Sequence, residues 1–374
     1  MVCSTSSGER GPYDITFSRS TTVSTAATSE RMSEDGFEES AFEVVCRSSL
    51  HARFDIADIQ RWESGRFRME RMLQGAPRNK GRVDHMLDAA FGEHVAVKRV
   101  PNDWMCECQA LFARQRARET ERPWVDLGCS AFLTTVRFPY ACPLRGVYRS
   151  KDFTHIVSDL ASEGDLFSWS LTRSEGPGLA REAVMWPLAR QVMDAVRMLH
   201  DLSIVHRDIS AENILVTRNT SDGVLQIQLI DFGMATRSRY GQGNGYGKPV
   251  YQAPETHSGM VLDGFLLDAF AVGVVLCGML TQQHPWMSTR PGGCKASSFY
   301  SAHGFRALAQ RRKCFGKRQT MAQCISEAAM QVLDGLLSVE PAERLILGET
   351  APFDGNRRSV WQEPWVLTAP RRHC

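Results

Sequence analysis

Regular patterning begins at Phe67, where apolar residues start to recur in a strand-like way, and Val95-Ala-Val-Lys-Arg-Val100 alternates apolar and basic side chains as a half-exposed strand does. Val184 to His200 carries apolar residues at helical spacing, which predicts a helix with one face in a core. Ile214 to Val216 and Leu225 to Ile230 are short apolar runs on either side of a polar turn of Asn, Thr, Ser, Asp and Gly, the pattern of a hairpin. The longest apolar stretch, Phe265 to Thr281, contains Asp268 and is too short and too polar for a membrane span, so it predicts a buried helix. Residues 1–45 are rich in Ser, Thr and Glu with few apolar positions. Such a segment cannot offset its ordering entropy and predicts a disordered, phosphorylation-prone tail. Residues 46–66 form a lead-in to the patterned region.

Composition narrows the picture without naming a function. A chain of 374 residues with 43% hydrophobic content can bury one large core or two medium ones. The net charge of +2 gives no global attraction to nucleic acid or to a membrane surface. The first residues, Met-Val-Cys-Ser-Thr-Ser-Ser, offer neither a basic segment leading into an apolar core nor a glycine for myristoylation. The 11 cysteines lack the dense, even pattern of a disulfide scaffold and contain no paired C-x-x-C, so a reducing, intracellular and cytoplasmic setting is expected. Cys106 and Cys108 flank Glu107 without the further neighbours a zinc site needs, and read as ordinary thiols.

The chemistry concentrates in Val205-His-Arg-Asp-Ile-Ser-Ala-Glu-Asn-Ile-Leu-Val216, then Ile230-Asp-Phe-Gly233, then Ala253-Pro-Glu255. A carboxylate at Asp208 can accept the proton of an attacking hydroxyl, while the amide of Asn213 and the carboxylate of Asp231 are hard oxygen ligands suited to Mg²⁺. The order H-R-D-x-x-x-x-N, D-F-G, A-P-E resembles the catalytic set of the eukaryotic protein kinases, in a divergent form of the serine/threonine type. The resemblance spans Phe67 to Leu347. It implies an α+β, two-lobed protein kinase-like fold: a small β-rich N-lobe over about 67–157, a larger α-helical C-lobe over about 162–347, and a C-terminal tail at 348–374. It also implies ATP and Mg²⁺ as cofactors, bound in the cleft between the lobes, and protein substrates as partners.

Residue by residue, the resemblance gives Lys98, in Val95-Ala-Val-Lys98, the α- and β-phosphates of ATP. Phe67 and Leu73 match the spacing of the first strand of the family, and Val83 lies fifteen residues before Lys98, as the family spacing expects. The phosphate-covering loop between them, Leu73-Gln-Gly-Ala-Pro-Arg-Asn-Lys-Gly-Arg-Val83, keeps only Gly75 and Gly81. Fewer glycines leave fewer amides able to approach phosphate, and Arg78, Lys80 and Arg82 are charges that can substitute. For the acid that pairs with the lysine, family spacing lands on Cys129, which cannot serve. Asp126 is the first candidate, with Glu121, Glu119 and Glu107 as others. In the segment linking the lobes Ser158 is the gatekeeper, the backbone from Asp159 to Ala161 meets adenine, and Asp165 either faces ribose or acts as a helix N-terminal acid. The helix ending in Met-Leu-His200 precedes the catalytic loop, Asp268 braces that loop's backbone, and Glu255 with Arg344 forms a buried ion pair. Trp361 to Trp365 either caps the larger lobe or frays.

Two departures belong together. Where the family places a lysine two residues after the catalytic aspartate this chain has Ser210, and where it places a threonine in Gly247-Lys-Pro-Val-Tyr-Gln-Ala-Pro-Glu255 this chain has Lys248. The exchange predicts that Lys248 reaches back beside Asp208 and restores the charge, with Ser210 returning the hydroxyl. Arg207 is the arginine that pairs with a phosphorylated loop residue in switched relatives; the usual phosphosite falls on Asn244, leaving Tyr246, Tyr240, Ser238 and Thr236 as acceptors in a loop rich in glycine at 241, 243, 245 and 247. The rival readings are a pseudokinase scaffold, suggested by the poor glycine loop, and a small-molecule phosphotransferase.

Overall fold

Strand β4 (Glu93–Pro101) organises the smaller half of the protein because its two faces are buried against different partners. Val95 and Val97 pack with Phe67, Tyr148 and Val157 on one face. On the other, Val100 joins Trp104, Phe112, Trp124 and Leu127, and the two-residue period of a strand puts Ala96 and Lys98 on that second side. The remaining strands of this sheet are β1 (Gln60–Arg61), β2 (Phe67–Ala76), β3 (Gly81–Asp88), β5 (Leu144–Arg149) and β6 (Phe153–Asp159), in the order β1-β5-β6-β4-β3-β2. Pairing is antiparallel except for β1, which runs parallel to β5. Three helices follow β4: α1 (Asn102–Met105), α2 (Gln109–Gln115) and α3 (Pro123–Thr135). The computed structural model describes residues 49–76, 80–242, 245–351 and 357–368. The Ser/Thr-rich tail at 1–45, Arg78, Gly243 and Asn244 lie outside them.

The larger half is helical. After β7 (Gly164–Asp165) come α4 (Leu166–Leu171) and α5 (Leu179–Asp201), then the hairpin β8 (Ile214–Arg218) and β9 (Leu225–Leu229). A short pair, β10 (Tyr240–Gln242) and β11 (Val261–Asp263), leads into α6 (Gly264–Thr281). Among the described residues α6 alone is long and apolar enough to cross a membrane, but it is 89% buried, with a mean hydropathy of 2.0, and forms the centre of the lobe. A Cβ at Gly273 would stand 2.9 Å from Leu336 Cβ, so α6 lies close against α9 (Glu327–Leu336). Between them in sequence are α7 (Lys295–Arg311) and α8 (Met321–Cys324), and α10 (Pro364–Leu367) ends the chain's described part. The C-terminal tryptophans cap this lobe: Trp365 is buried, its indole donates to Glu182 Oε1 at 2.8 Å, and Trp361 Nε1 donates to Leu347 O at 2.6 Å.

Two buried charge clusters fix the larger half around the future site. Arg344 is fully enclosed and grips Glu255 in a two-pronged pair, with its remaining protons on Leu266 O and Ser338 O, each at 3.0 Å. His200, also fully buried, lies between Asp268 Oδ2 at 3.1 Å and Glu349 Oε1 at 2.7 Å, and stacks on Phe265. Asp268 in turn accepts from His206 N at 2.7 Å and Arg207 N at 2.9 Å. Burial disfavours a charged imidazole, yet the hydrogen bonds and charges of Asp268 and Glu349 outweigh it and raise the His200 pKa to about 9.

Two stability measurements follow from these clusters. Glu255→Ala leaves the Arg344 guanidinium buried without its carboxylate and should cost about 3–5 kcal/mol in urea unfolding. A group with a raised folded pKa contributes fully below its unfolded value of about 6.5 and loses that contribution as pH climbs through about 9. The wild type should therefore lose on the order of 2–3 kcal/mol between those limits relative to His200→Gln; parallel stability–pH curves for the two proteins would contradict the charged imidazole.

Candidate active site

The loop from His206 to Asn213 is held from beneath by Asp268 and from the side by β9. Ile230 N donates to Asn213 O at 3.0 Å, and His206 Nε2 lies 3.2 Å from Ile230 O, so the loop is tied one residue before Asp231. Arg207 and Asp231 both adopt left-handed backbone, with φ of 67° and 64°. That conformation is uncommon for a residue bearing a Cβ and persists only where the surroundings impose it. Asn213 Nδ2 donates to the main-chain oxygen and to Oδ2 of Asp208, both at 2.9 Å. With its amide nitrogen so engaged, Asn213 keeps its Oδ1 for another ligand. The other Asp208 oxygen, Oδ1, is buried and has no hydrogen-bond partner among the described residues. Burial raises the Asp208 pKa and Asp231 adds to the rise, while His206, Lys248 and the Asn213 hydrogen bond pull it back. A buried, unsatisfied carboxylate oxygen of raised basicity is suited to accepting a proton from a hydroxyl.

Lys98 meets three carboxylates from three segments. Its ammonium lies 3.2 Å from Asp126 Oδ2, 3.8 Å from Asp231 Oδ1 and 4.0 Å from Glu121 Oε1. Burial opposes the charge, but the three acids raise the pKa well above the ordinary lysine value and the group stays cationic. Asp126 stands in the first turn of α3, where the helix N-terminus favours an acid. Its second oxygen, Oδ1, accepts from Phe232 N at 2.9 Å, and Arg122 N donates to Gly233 O at 2.9 Å. Thus Asp126 joins the sheet lysine to the segment that carries Asp231. Cys129, one helical turn on, is wholly buried with its thiol pKa pushed up by burial; Glu107 is exposed.

Val83 is the cross-strand partner of Lys98 and so shares its face of the sheet. The two glycines beyond it flank residues 77–79, which lie outside the described ones. Gly75 pairs with Arg82 and Gly81 with Ala76, continuing the β2–β3 ladder, and a Cβ at Gly75 would meet nothing within 4 Å. In the linking segment, the Asp159 side chain pairs with Arg145 and its N–H donates to Pro143 O at 3.2 Å. Its carbonyl accepts from the Cys142 thiol at 3.3 Å, and half-buried Ala161 follows. Half-buried Ser158 sits at the strand end, with Oγ 3.5 Å from Asp159 O. Asp165 caps α4: both its oxygens accept from Ser168, from N and from Oγ, each at 2.8 Å. Of the two sequence readings for this acid, the helix cap is the one these hydrogen bonds display.

Lys248 is brought to the catalytic loop, though not onto Asp208. Its ammonium donates to Ser210 Oγ at 2.8 Å and pairs with Glu212 Oε2 at 3.1 Å. It reaches the Asp208 carboxylate only through space, drawing that pKa down. The sequence reading placed Lys248 beside Asp208 with Ser210 returning the hydroxyl, and passed over Glu212, which lies four residues after Asp208. Burial works against the Glu212 charge, but Lys248 and local hydrogen bonds hold its carboxyl below the usual range. Tyr251 completes the cluster, its hydroxyl 3.3 Å from Glu212 Oε2 and from Ala211 N. Gly247 makes the approach possible: at φ +76° its Cβ would lie 2.8 Å from Arg207 O and 3.1 Å from Asp208 Oδ1. The guanidinium of Arg207 sits 4.6 Å over the ring of Tyr246. Of the other loop hydroxyls, Ser238 donates to Tyr240 O at 2.7 Å, Tyr240 is exposed and Thr236 pairs with Val205.

Among the described residues no group of three or more His, Cys, Asp or Glu side chains is arranged to hold a metal. The oxygen donors at hand, Asn213 Oδ1 and the part-exposed Asp231 carboxylate, are of the kind Mg²⁺ takes when it keeps several waters and phosphate oxygens, so the residues present fit that ion.

Comparison with known proteins agrees with this geometry. The family description "Protein kinase domain" matches residues 79–353. The chain is 33% identical over 150 residues, 40% of its length and 14% of the relative's, to a probable serine/threonine-protein kinase, KCC4, of Saccharomyces cerevisiae. It is 31% identical over 238 residues, 62% of its length and 25% of the relative's, to serine/threonine-protein kinase SIK2 of Gallus gallus. It is 28% identical over 244 residues to the phosphorylase b kinase gamma catalytic chain, liver/testis isoform, of Bos taurus, covering 63% of this chain and 54% of that one. The chain thus spans about half or less of the length of these relatives. With the family match extending over most of the chain and the site assembled as above, the chain belongs to the protein kinase domain family.

Proposed function

We propose that the protein transfers the γ-phosphate of ATP to serine and threonine hydroxyls of protein substrates. The observation that carries this reading is the buried Oδ1 of Asp208, unpartnered beside Asn213 and Asp231. A substrate hydroxyl placed there gives its proton to Asp208 as its oxygen bonds to the γ-phosphorus, and the bond from phosphorus to the β–γ bridging oxygen breaks with its electron pair leaving on ADP. Asn213 and Asp231 would hold Mg²⁺, which when bound neutralises phosphate charge. Lys98, kept cationic and fixed by Asp126, orients the α- and β-phosphates; a displaced lysine loses the positioning on which such transfers depend. The names of the relatives support serine and threonine as acceptors.

Within this reading Lys248 supplies a cation to the transferring phosphoryl group, placed by Ser210 and Glu212. The opposite reading, a nucleotide-binding scaffold without turnover, is favoured by one observation, the continuation of the β2–β3 ladder through Gly75 and Gly81.

Mg²⁺-dependent transfer of labelled γ-phosphate to Ser/Thr peptides, run beside Asp208→Asn, separates the two. The expected result is transfer by the wild type and a fall on the order of 10²–10⁴ in the variant. Nucleotide-induced thermal stabilisation with no transfer by either protein would instead establish the scaffold. Lys248→Thr should lower kcat by about tenfold or more, a loss of at least ~1.4 kcal/mol of transition-state stabilisation. Returning the cation to the loop in the double variant S210K/K248T should recover much of it. A Lys248→Thr loss no greater than that of Lys151→Ala, a surface lysine, would remove Lys248 from the mechanism.

A further inference from the structure

The segment ahead of the kinase-like region does more than lead into it. Residues 49–62 run as a strap along α3, the helix that carries Asp126. Leu50, in the turn Leu50–Arg53, is 4% exposed and shares its core with Val125, Cys129, Phe132 and Leu133 of that helix. The strap's main chain lies flush on the helix, since a Cβ at Gly128 would stand 2.0 Å from Leu50 O and 2.9 Å from Leu50 C. Phe54 is buried with its ring 6.3 Å from Trp124, and Arg53 sits 5.6 Å over Phe132. Trp124, Gly128 and Phe132 are spaced at i, i+4 and i+8, so the strap covers one continuous face of α3.

The far end of the strap is anchored on the sheet. Asp55 caps the turn Ile56–Asp58 in a capping box, β1 pairs with β5, and Trp62 N donates to Arg149 O at 3.0 Å. The Trp62 ring stacks on Phe67 and on His155, with centroids 4.7 and 3.8 Å apart. The strap therefore spans from the sheet bearing Lys98 to the outer face of the helix bearing Asp126. Aspartate has a single methylene between backbone and carboxylate. Its 3.2 Å contact with Lys98 and 2.9 Å contact with Phe232 N survive only if α3 stays close to the sheet.

We propose that Leu50 is a positioning residue for phosphoryl transfer: by filling the outer face of α3 it presses the helix inward, so that the short Asp126 side chain holds Lys98 and the Phe232 amide together. The inference rests on the proposed kinase reading for its kinetic part and on geometry alone for its structural part.

The test uses the full chain and the variants Leu50→Ala, Leu50→Val and Leu50→Met, each alone and with Asp126→Glu, which adds the missing methylene. Two readouts are taken: kcat and ATP KM in the peptide assay, and hydrogen exchange of the α3 amides and of Phe232 N–H. Leu50→Ala should lower kcat about tenfold or more, as a displacement of about 1 Å does at a site of this kind, with ATP KM changed far less. Leu50→Val, which removes one methylene and should fold, should fall between Ala and wild type, and Leu50→Met should stay near wild type. Asp126→Glu should raise kcat several-fold in the Leu50→Ala protein and not in the wild type. The Phe232 amide should exchange faster in Leu50→Ala and Leu50→Val. Unchanged exchange at Phe232 in both would overturn the proposal whatever the kinetics, and a Leu50→Ala loss that Asp126→Glu does not relieve would reduce the strap to a general stabiliser. If the wild type transfers no phosphate, the kinase reading fails by itself and the exchange data still decide the strap.

Discussion

One carboxylate, that of Asp126, connects the two parts of the site. Its two oxygens divide between Lys98 on the sheet and the amide of Phe232 beside Asp231. A cation desolvated as Lys98 is carries a penalty that only nearby charge offsets. Three acids surround it, and Asp126 is also hydrogen-bonded to the backbone of the segment that carries Asp231. The position of α3 relative to β4 is therefore the constraint on which the relation of Lys98 to Asp231 depends.

A second chain of charge fixes the other wall. Glu349, His200 and Asp268 are all buried, and Asp268 ends the chain on the amides of His206 and Arg207. Isolated, any of these groups would be unfavourable in the core; together each supplies the other's missing partner. The arrangement holds Arg207 in its left-handed backbone and thereby aims Asp208, whose own side chain is held on one oxygen only. Rigidity below the loop thus coexists with one unsatisfied atom above it, the distribution expected where chemistry is to occur.

What could be read from the sequence is what depends on local order. His206 to Asn213, the hairpin after it and Asp231 lie within one short stretch, and Asp208, Asn213 and Asp231 come together because Ile230 binds back to Asn213. The buried pair Glu255–Arg344 and the brace at Asp268 were legible for a different reason: the resemblance to the kinase family implied both, although their partners lie far apart in the chain. The acid for Lys98 stayed open among Asp126, Glu121, Glu119 and Glu107 because the choice depends on the register of α3 against β4, which packing sets. Asp165 offered two readings, and its part as a helix cap shows only in the hydrogen bonds to Ser168. The strap carried no readable signal. Its turns are short, with no helical or strand period of their own, and their stability comes from the tertiary contacts of Leu50, Phe54 and Trp62.

The acid at position 126 and the cation at position 248 share a physical form. A shorter acid at position 126 and a cation moved from the loop to position 248 each place charge at an unusual distance, and each coincides with a close backbone approach that glycine permits. At Gly128 the strap lies against α3 where any side chain would collide with Leu50 O; at Gly247 the segment bearing Lys248 lies against Arg207 O where any side chain would collide with the catalytic loop. Coulomb energy changes steeply with distance inside a protein, so a charge carried on the wrong segment or the wrong length of side chain is useful only if the backbone closes the gap. The glycines close it in both cases. A Cβ at either position moves a charge as well as a backbone, which is why these two small residues, neither bearing a functional group, belong to the electrostatics of the site.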